Sequence, residues 1–135
     1  MIAFMLHALI VAGAVATPAP SDIGGFVGTW RGTSTCVNRE FAPACKDEVV
    51  VYEVARTDKP GVAHMKAYKI VDGEKGLMGE MDYTFDAKNA CWSGEFRNER
   101  VHVVHRLKIE GASMTGTLSD VATGTTVREM ELKRD

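Results

Sequence analysis

From Phe26 to Lys133 the chain alternates apolar and polar residues with a period of two, in short segments separated by turn residues every 8–14 positions. Successive side chains of a strand point to opposite faces, so this pattern builds half-buried strands and cannot build an amphipathic helix. Eight segments follow: Val27 to Cys36, Asp47 to Arg56, Val62 to Val71, Gly76 to Phe85, Cys91 to Arg97, Val101 to Ile109, Ser113 to Asp120 and Thr126 to Lys133. The punctuation has its own chemistry. In Asp58-Lys59-Pro60-Gly61, Pro fixes one φ and Gly supplies a positive one; Asp72-Gly73 is a tight-hairpin pair. Strands joined by such short connections are antiparallel neighbours. The expected fold is therefore all-β: an eight-stranded antiparallel up-and-down β-barrel, whose closure removes the sheet edges.

Before this pattern lies a different stretch. Ile2 to Val15 is apolar or small apart from His7, and it ends in Ala14-Val15-Ala16. At about 15 residues it is shorter than the roughly 20 of a membrane-spanning helix. It reads as a secretory signal peptide over 1–16, although no Lys or Arg precedes the apolar run. Residues 17–25, with two prolines and a Gly pair, are expected as a flexible mature N-terminus, and 26–135 as a single barrel domain. The expected location is periplasmic or secreted. An oxidising compartment permits a disulfide, and the three cysteines allow three pairings. Cys36–Cys45 is the shortest and closes the first loop, Cys36–Cys91 is its rival, and one thiol is left over.

Alternation assigns an inward face carrying Phe26, Trp30, Val50, Tyr52, Val54, Leu77, Met81, Tyr83, Phe85, Trp92, Phe96, Val101, Val103, Leu107, Ile109, Met114, Leu118, Met130 and Leu132. The third segment carries apolar residues on both faces, so its register stays open.

The stretch Phe26-Val27-Gly28-Thr29-Trp30-Arg31-Gly32, on the first of eight such strands, resembles the calycin superfamily of lipocalins, fatty-acid-binding proteins, avidins and nitrobindin-like barrels. The resemblance implies a structural Trp30 at the closed end of the barrel, packed against a basic residue of a late strand. Arg128 and Arg134, inward with Met130 and Leu132, are the two candidates, through a cation–π contact. Residues 37–46 are too few for the helix pair of fatty-acid-binding proteins. Only Trp92 is available for an avidin-like site. No His follows His105, so the haem of nitrobindin-like barrels is not expected, nor is any other cofactor.

No catalytic motif stands out, and an enzyme is not expected. Ser34, Ser93 and Ser113 lack a nucleophile-elbow setting. Glu80 and Asp82 alternate with Met81 and Tyr83 as on a solvated face. His102 and His105 lie three apart on a strand, hence on opposite faces, and cannot chelate one ion together. The Cys36/Cys45 spacing is not that of a zinc site. A net charge of −2 and a pI near 6.1 leave no footprint for nucleic acid.

What remains is the interior. Tyr52, Met81, Tyr83, Phe85, Trp92, Phe96 and Met114 would line it, with His105 or Tyr52 as a polar handle. An eight-stranded barrel either fills with side chains or holds one small ligand. The leading expectation is an exported barrel that binds a small apolar or amphipathic ligand. One alternative is a filled barrel that inhibits a secreted protease or hydrolase through Thr17 to Gly25, as in barrels resembling bacterial metalloprotease inhibitors. Another is an envelope structural protein without a ligand.

Overall fold

In a computed structural model that describes Ala19 and residues 21–135, eight strands form one closed antiparallel barrel in chain order. They are β1 (Gly28–Cys36), β2 (Glu48–Arg56), β3 (Val62–Val71), β4 (Glu74–Asp86), β5 (Cys91–Arg97), β6 (His102–Glu110), β7 (Ser113–Asp120) and β8 (Thr126–Arg134). β1 pairs with both β2 and β8, which completes the up-and-down circuit. Both cysteines expected to bridge the first loop do so: Cys36 and Cys45 form a disulfide, and Cys91 is a buried free thiol. The signal peptide expected over 1–16 lies outside the described residues.

One end of the barrel is closed. Ile23–Phe26 makes a single helical turn, α1, capped by the Asp22 carboxylate accepting from the Gly24 N–H at 2.9 Å. The turn drops Phe26 into the barrel, where its ring stacks on Trp92 at 4.9 Å and meets Tyr83 edge-on at 5.7 Å. The Phe26 carbonyl accepts from Trp30 Nε1 at 2.9 Å. Directly across the β1–β8 ladder from Trp30 stands Arg134, its guanidinium 4.3 Å from the Trp30 ring. The same guanidinium donates to the carbonyls of Val27 and Gly25. So Arg134, not Arg128, is the basic partner of Trp30, and it pins the α1 segment as well. Gly28 permits this: its φ is +137°, and a Cβ there would lie 2.6 Å from Arg134 Nη1.

Arg128 faces the other end. It donates to Ser34 Oγ at 3.1 Å and to the Lys46 carbonyl at 2.8 Å, which ties the start of β8 to β1 and to the loop before β2.

The register of β3 resolves as Ala63 and Met65 inward in the core, with Ala67 packed against it; His64 faces Asp82 on the outer surface. Three residues expected inside, Leu77, Phe96 and Val101, are exposed. Leu77 is 55% exposed because the β3–β4 register shifts between Ala67 and Tyr68. Ala67 pairs with Gly79 but Tyr68 with Leu77, so Met78 is an extra residue, and every β4 side chain before it changes face. Val101 is exposed because it belongs to the turn before β6 rather than to the strand.

Gly28→Ala and Arg134→Met should each lower the unfolding free energy by about 3 kcal/mol, through backbone strain in one case and lost charged hydrogen bonds in the other. Because part of the Gly28→Ala cost is the clash of its Cβ with Arg134 Nη1, which Arg134→Met relieves, the double variant should cost less than the two summed. Urea midpoints of the four proteins of this cycle measure that; full additivity would refute the clamp.

Candidate functional site

The clamp makes the two halves of the barrel unlike. Phe26, Trp30, Tyr83, Trp92, Leu107 and Met114 are fully buried and fill the closed half. Beyond them, toward the loops that join β1 to β2, β5 to β6 and β7 to β8, lies a cavity of about 250 Å³. Its wall is mainly apolar, with Met65, Ala67, Met81, Val103, Leu118 and Met130 among its members. Tyr52 and His105 supply polar groups near the floor, and Ser34, Glu48 and Arg128 lie toward the open end.

The eight residues expected along the cavity divide between the halves. Tyr52, Met81, Phe96 and His105 line it. Tyr83, Trp92 and Met114 are packed into the filled half, and Phe85 rests edge-on against Trp92 at 5.6 Å. Phe96 stands at the side of the mouth and is 44% exposed. That mouth extends laterally because β4 and β5 share only three register pairs, Thr84–Ser93, Phe85–Trp92 and Asp86–Cys91. Past these the strands part, leaving Met78, Gly79 and Glu80 on one side of a slot and Phe96 on the other.

The floor is built from a glycine outward. Gly94 on β5 is the register partner of His105 on β6. A Cβ on Gly94 would lie 3.0 Å from the Tyr83 ring and 2.9 Å from the Asp82 carbonyl. The missing side chain lets the Tyr83 ring lie across β5, so that its hydroxyl reaches His105 Nδ1 at 2.5 Å. Tyr52 meets the His105 ring edge-on from the other side at 5.6 Å.

Burial sets the protonation states. It pushes His105 down to about 4 and both tyrosines well above their usual value. All three are therefore neutral at pH 7. The direction of the Tyr83–His105 bond follows. Tyr83 is fully buried with no other hydrogen-bond acceptor among the described residues, so its O–H must donate to Nδ1. The His105 proton is then on Nε2. Neither Nε2 nor the Tyr52 hydroxyl has a hydrogen-bond partner among the described residues, yet both side chains line the cavity.

The remaining titratable candidates sit elsewhere. His64 is held between Asp82 at 2.7 Å and Glu80 at 3.1 Å on the outer surface, and the hydrogen bonds to Asp82 and then Glu80 raise it. Those carboxylates, expected to be merely solvated, thus flank a histidine. His102 pairs outward with Glu95 at 3.0 Å. Burial pushes the Cys91 thiol up, away from a reactive thiolate. Among the described residues no group of three or more His, Cys, Asp or Glu side chains is arranged for a metal ion. Comparison with protein-family models and with curated proteins returned no match.

Acid should expose the His105 environment. Its folded value near 4 lies below the unfolded value of about 6.5, so the unfolded chain binds the extra proton first and stability is lost as pH falls from about 6.5 to 4. That loss amounts to about 3 kcal/mol. His64, raised and exposed, acts in the opposite sense: its contribution is present at low pH and is lost as pH rises through its folded value, and solvent screening keeps it small. Unfolding midpoints at pH 7 and pH 4.5 should therefore differ less in His105→Gln than in the unsubstituted protein. An identical acid loss in both would contradict a buried neutral His105.

Proposed function

We propose that this protein is an exported, calycin-like carrier that holds a small apolar or amphipathic ligand in the open half of its barrel. The observation that carries this reading is the division of the barrel. One half is packed solid against α1; the other keeps an apolar cavity in which two polar groups lack protein partners. Both groups open onto the cavity, where water or a ligand can complete their hydrogen bonds. Its volume of about 250 Å³ lies below the roughly 300–1,000 Å³ of drug-sized ligand sites. The ligand is accordingly small, on the order of eight water-sized groups at about 30 Å³ each.

Export is supported by the Cys36–Cys45 disulfide and by the apolar N-terminal run that ends in Ala14-Val15-Ala16. No helix among the described residues is long and apolar enough to cross a membrane. Binding rather than catalysis is proposed because the polar groups at the cavity floor, His105 and Tyr52, are neutral and are not a nucleophile paired with a base. Inhibition of a secreted enzyme through residues 17–25 has less support. Ile23 to Val27 is committed to closing the barrel, which leaves only the residues before it for such a contact.

Native mass spectrometry of the protein purified without detergent should reveal a small adduct that is lost on denaturation. Ala67→Phe, which fills the cavity from its β3 wall, should remove the adduct while far-UV circular dichroism and the thermal midpoint stay near those of the unsubstituted protein. A bare mass before the substitution, or an adduct that survives it, would exclude a ligand in the cavity.

A further inference from the structure

We infer that the cavity selects an uncharged ligand with a single hydroxyl or carbonyl head, such as a medium-chain alcohol or aldehyde, and discriminates against carboxylate and ammonium heads of the same chain. This rests on the reading of the cavity as a ligand site and goes further, to the chemistry of the head group.

The inference starts from the proton inventory at the floor. The Tyr83 hydroxyl donates to His105 Nδ1, so His105 offers an Nε2–H donor that no described residue accepts. Tyr52 offers a hydroxyl, a donor and an acceptor at once, also without a partner among the described residues. One hydroxyl on a ligand can accept from Nε2–H and exchange a hydrogen bond with Tyr52; a carbonyl can accept from both. Either head satisfies two stranded groups without bringing a charge into an apolar wall.

A charged head has no such partner. Arg128 is the only cation among the described residues lining the cavity, and both of its terminal nitrogens already donate to protein oxygens. Nη1 serves the Ser34 Oγ at 3.1 Å and the Ser34 carbonyl at 3.4 Å, and Nη2 serves the Lys46 carbonyl at 2.8 Å. The Glu48 carboxylate lies 3.8 Å from Nη2 and offsets its charge. Glu80 adds a second carboxylate at the lateral mouth, where His64 accompanies it from outside. A carboxylate head would therefore face two carboxylates and one occupied guanidinium. An ammonium head at the floor would meet the N–H of His105 with no carboxylate beside it, and one paired with Glu48 or Glu80 toward the mouth would leave its alkyl chain against the Nε2–H and the Tyr52 hydroxyl, which then stay unpartnered. Desolvating either ion without a counter-charge costs far more than burying a hydroxyl that is hydrogen-bonded. Sites built around matched hydrogen bonds to a neutral head discriminate strongly for the same reason.

The test is a matched series at pH 7.4: 1-octanol, octanoate and octylammonium, titrated by isothermal calorimetry into the protein, into Tyr52→Phe and into Ala67→Phe. The expected result is 1-octanol bound at least tenfold more tightly than either ion, with that preference cut severalfold in Tyr52→Phe and all binding lost in Ala67→Phe. Tyr52→Phe removes only a hydroxyl that has no described partner, so its fold should be intact. Should octanoate or octylammonium bind as tightly as 1-octanol, or the preference persist undiminished in Tyr52→Phe, the head-group assignment is overturned while the cavity remains a ligand site. If none of the three binds, or if Ala67→Phe binds them unchanged, the reading of the cavity as a ligand site falls, and this inference with it.

Discussion

The stack of Arg134 on Trp30 is the contact on which the asymmetry of the barrel depends. An eight-stranded barrel has two equivalent ends as far as its hydrogen-bond ladder is concerned, and nothing in closure itself says which is filled. Arg134 breaks that equivalence. From β8 it covers the Trp30 ring at 4.3 Å and gathers the carbonyls of Gly25 and Val27, which fixes the α1 turn over the opening. With the turn in place, Phe26 reaches Trp92 and Tyr83, and these rings gather with Trp30 at one end. The open half keeps Tyr52 and Phe96 but is walled mainly by Met, Val, Leu and small residues, and these do not fill it.

The polar floor follows from the same stack. Tyr83 is held against Phe26, its ring lies over Gly94, and the position of its hydroxyl is thereby set by packing rather than by solvent. His105 receives that hydroxyl on one nitrogen and presents the other to the cavity. Packing thus decides a tautomer, and the tautomer decides what the cavity can offer. The chain of cause runs from a charged group near the C-terminus, through an aromatic stack, to a single proton on the far side of an imidazole.

Much of the fold was legible because turn chemistry is local. Asp58-Lys59-Pro60-Gly61 and Asp72-Gly73 bound β3 closely, and the strands begin and end within two residues of where alternation puts them. The Cys36–Cys45 bridge is the shortest of the three pairings the sequence left open. What escaped is what depends on contacts between distant segments. Ile23-Gly24-Gly25-Phe26 has the composition of a linker, and only its burial against Trp92 makes it a closure. Met78 carries no mark of a bulge beyond the neighbouring Gly79, so Leu77 was assigned to the wrong face. Tyr83, Trp92 and Met114 do face inward, as alternation requires, but alternation is blind to position along the barrel axis and could not tell floor from wall. His105 was visible as an inward histidine. Gly94, its register partner, was the overlooked signal: a glycine mid-strand beside an aromatic neighbour marks the place where a ring crosses the strand.

The early parting of β4 and β5 has a consequence for the protein among its own copies. A closed barrel is protected from self-association because it has no free edge, and here that protection lapses along part of one seam. Unpaired backbone beside Leu77, Met78 and Phe96 is the kind of strip on which a second chain could add a strand. The residues around the strip oppose this. Glu74, Lys75, Glu80 and Asp82 stud β4, Glu95 and Arg97 stud β5, and the irregularity at Met78 bends the edge out of line. The seam keeps the mouth of the barrel wide, and its ring of charge keeps that width from becoming a template for aggregation.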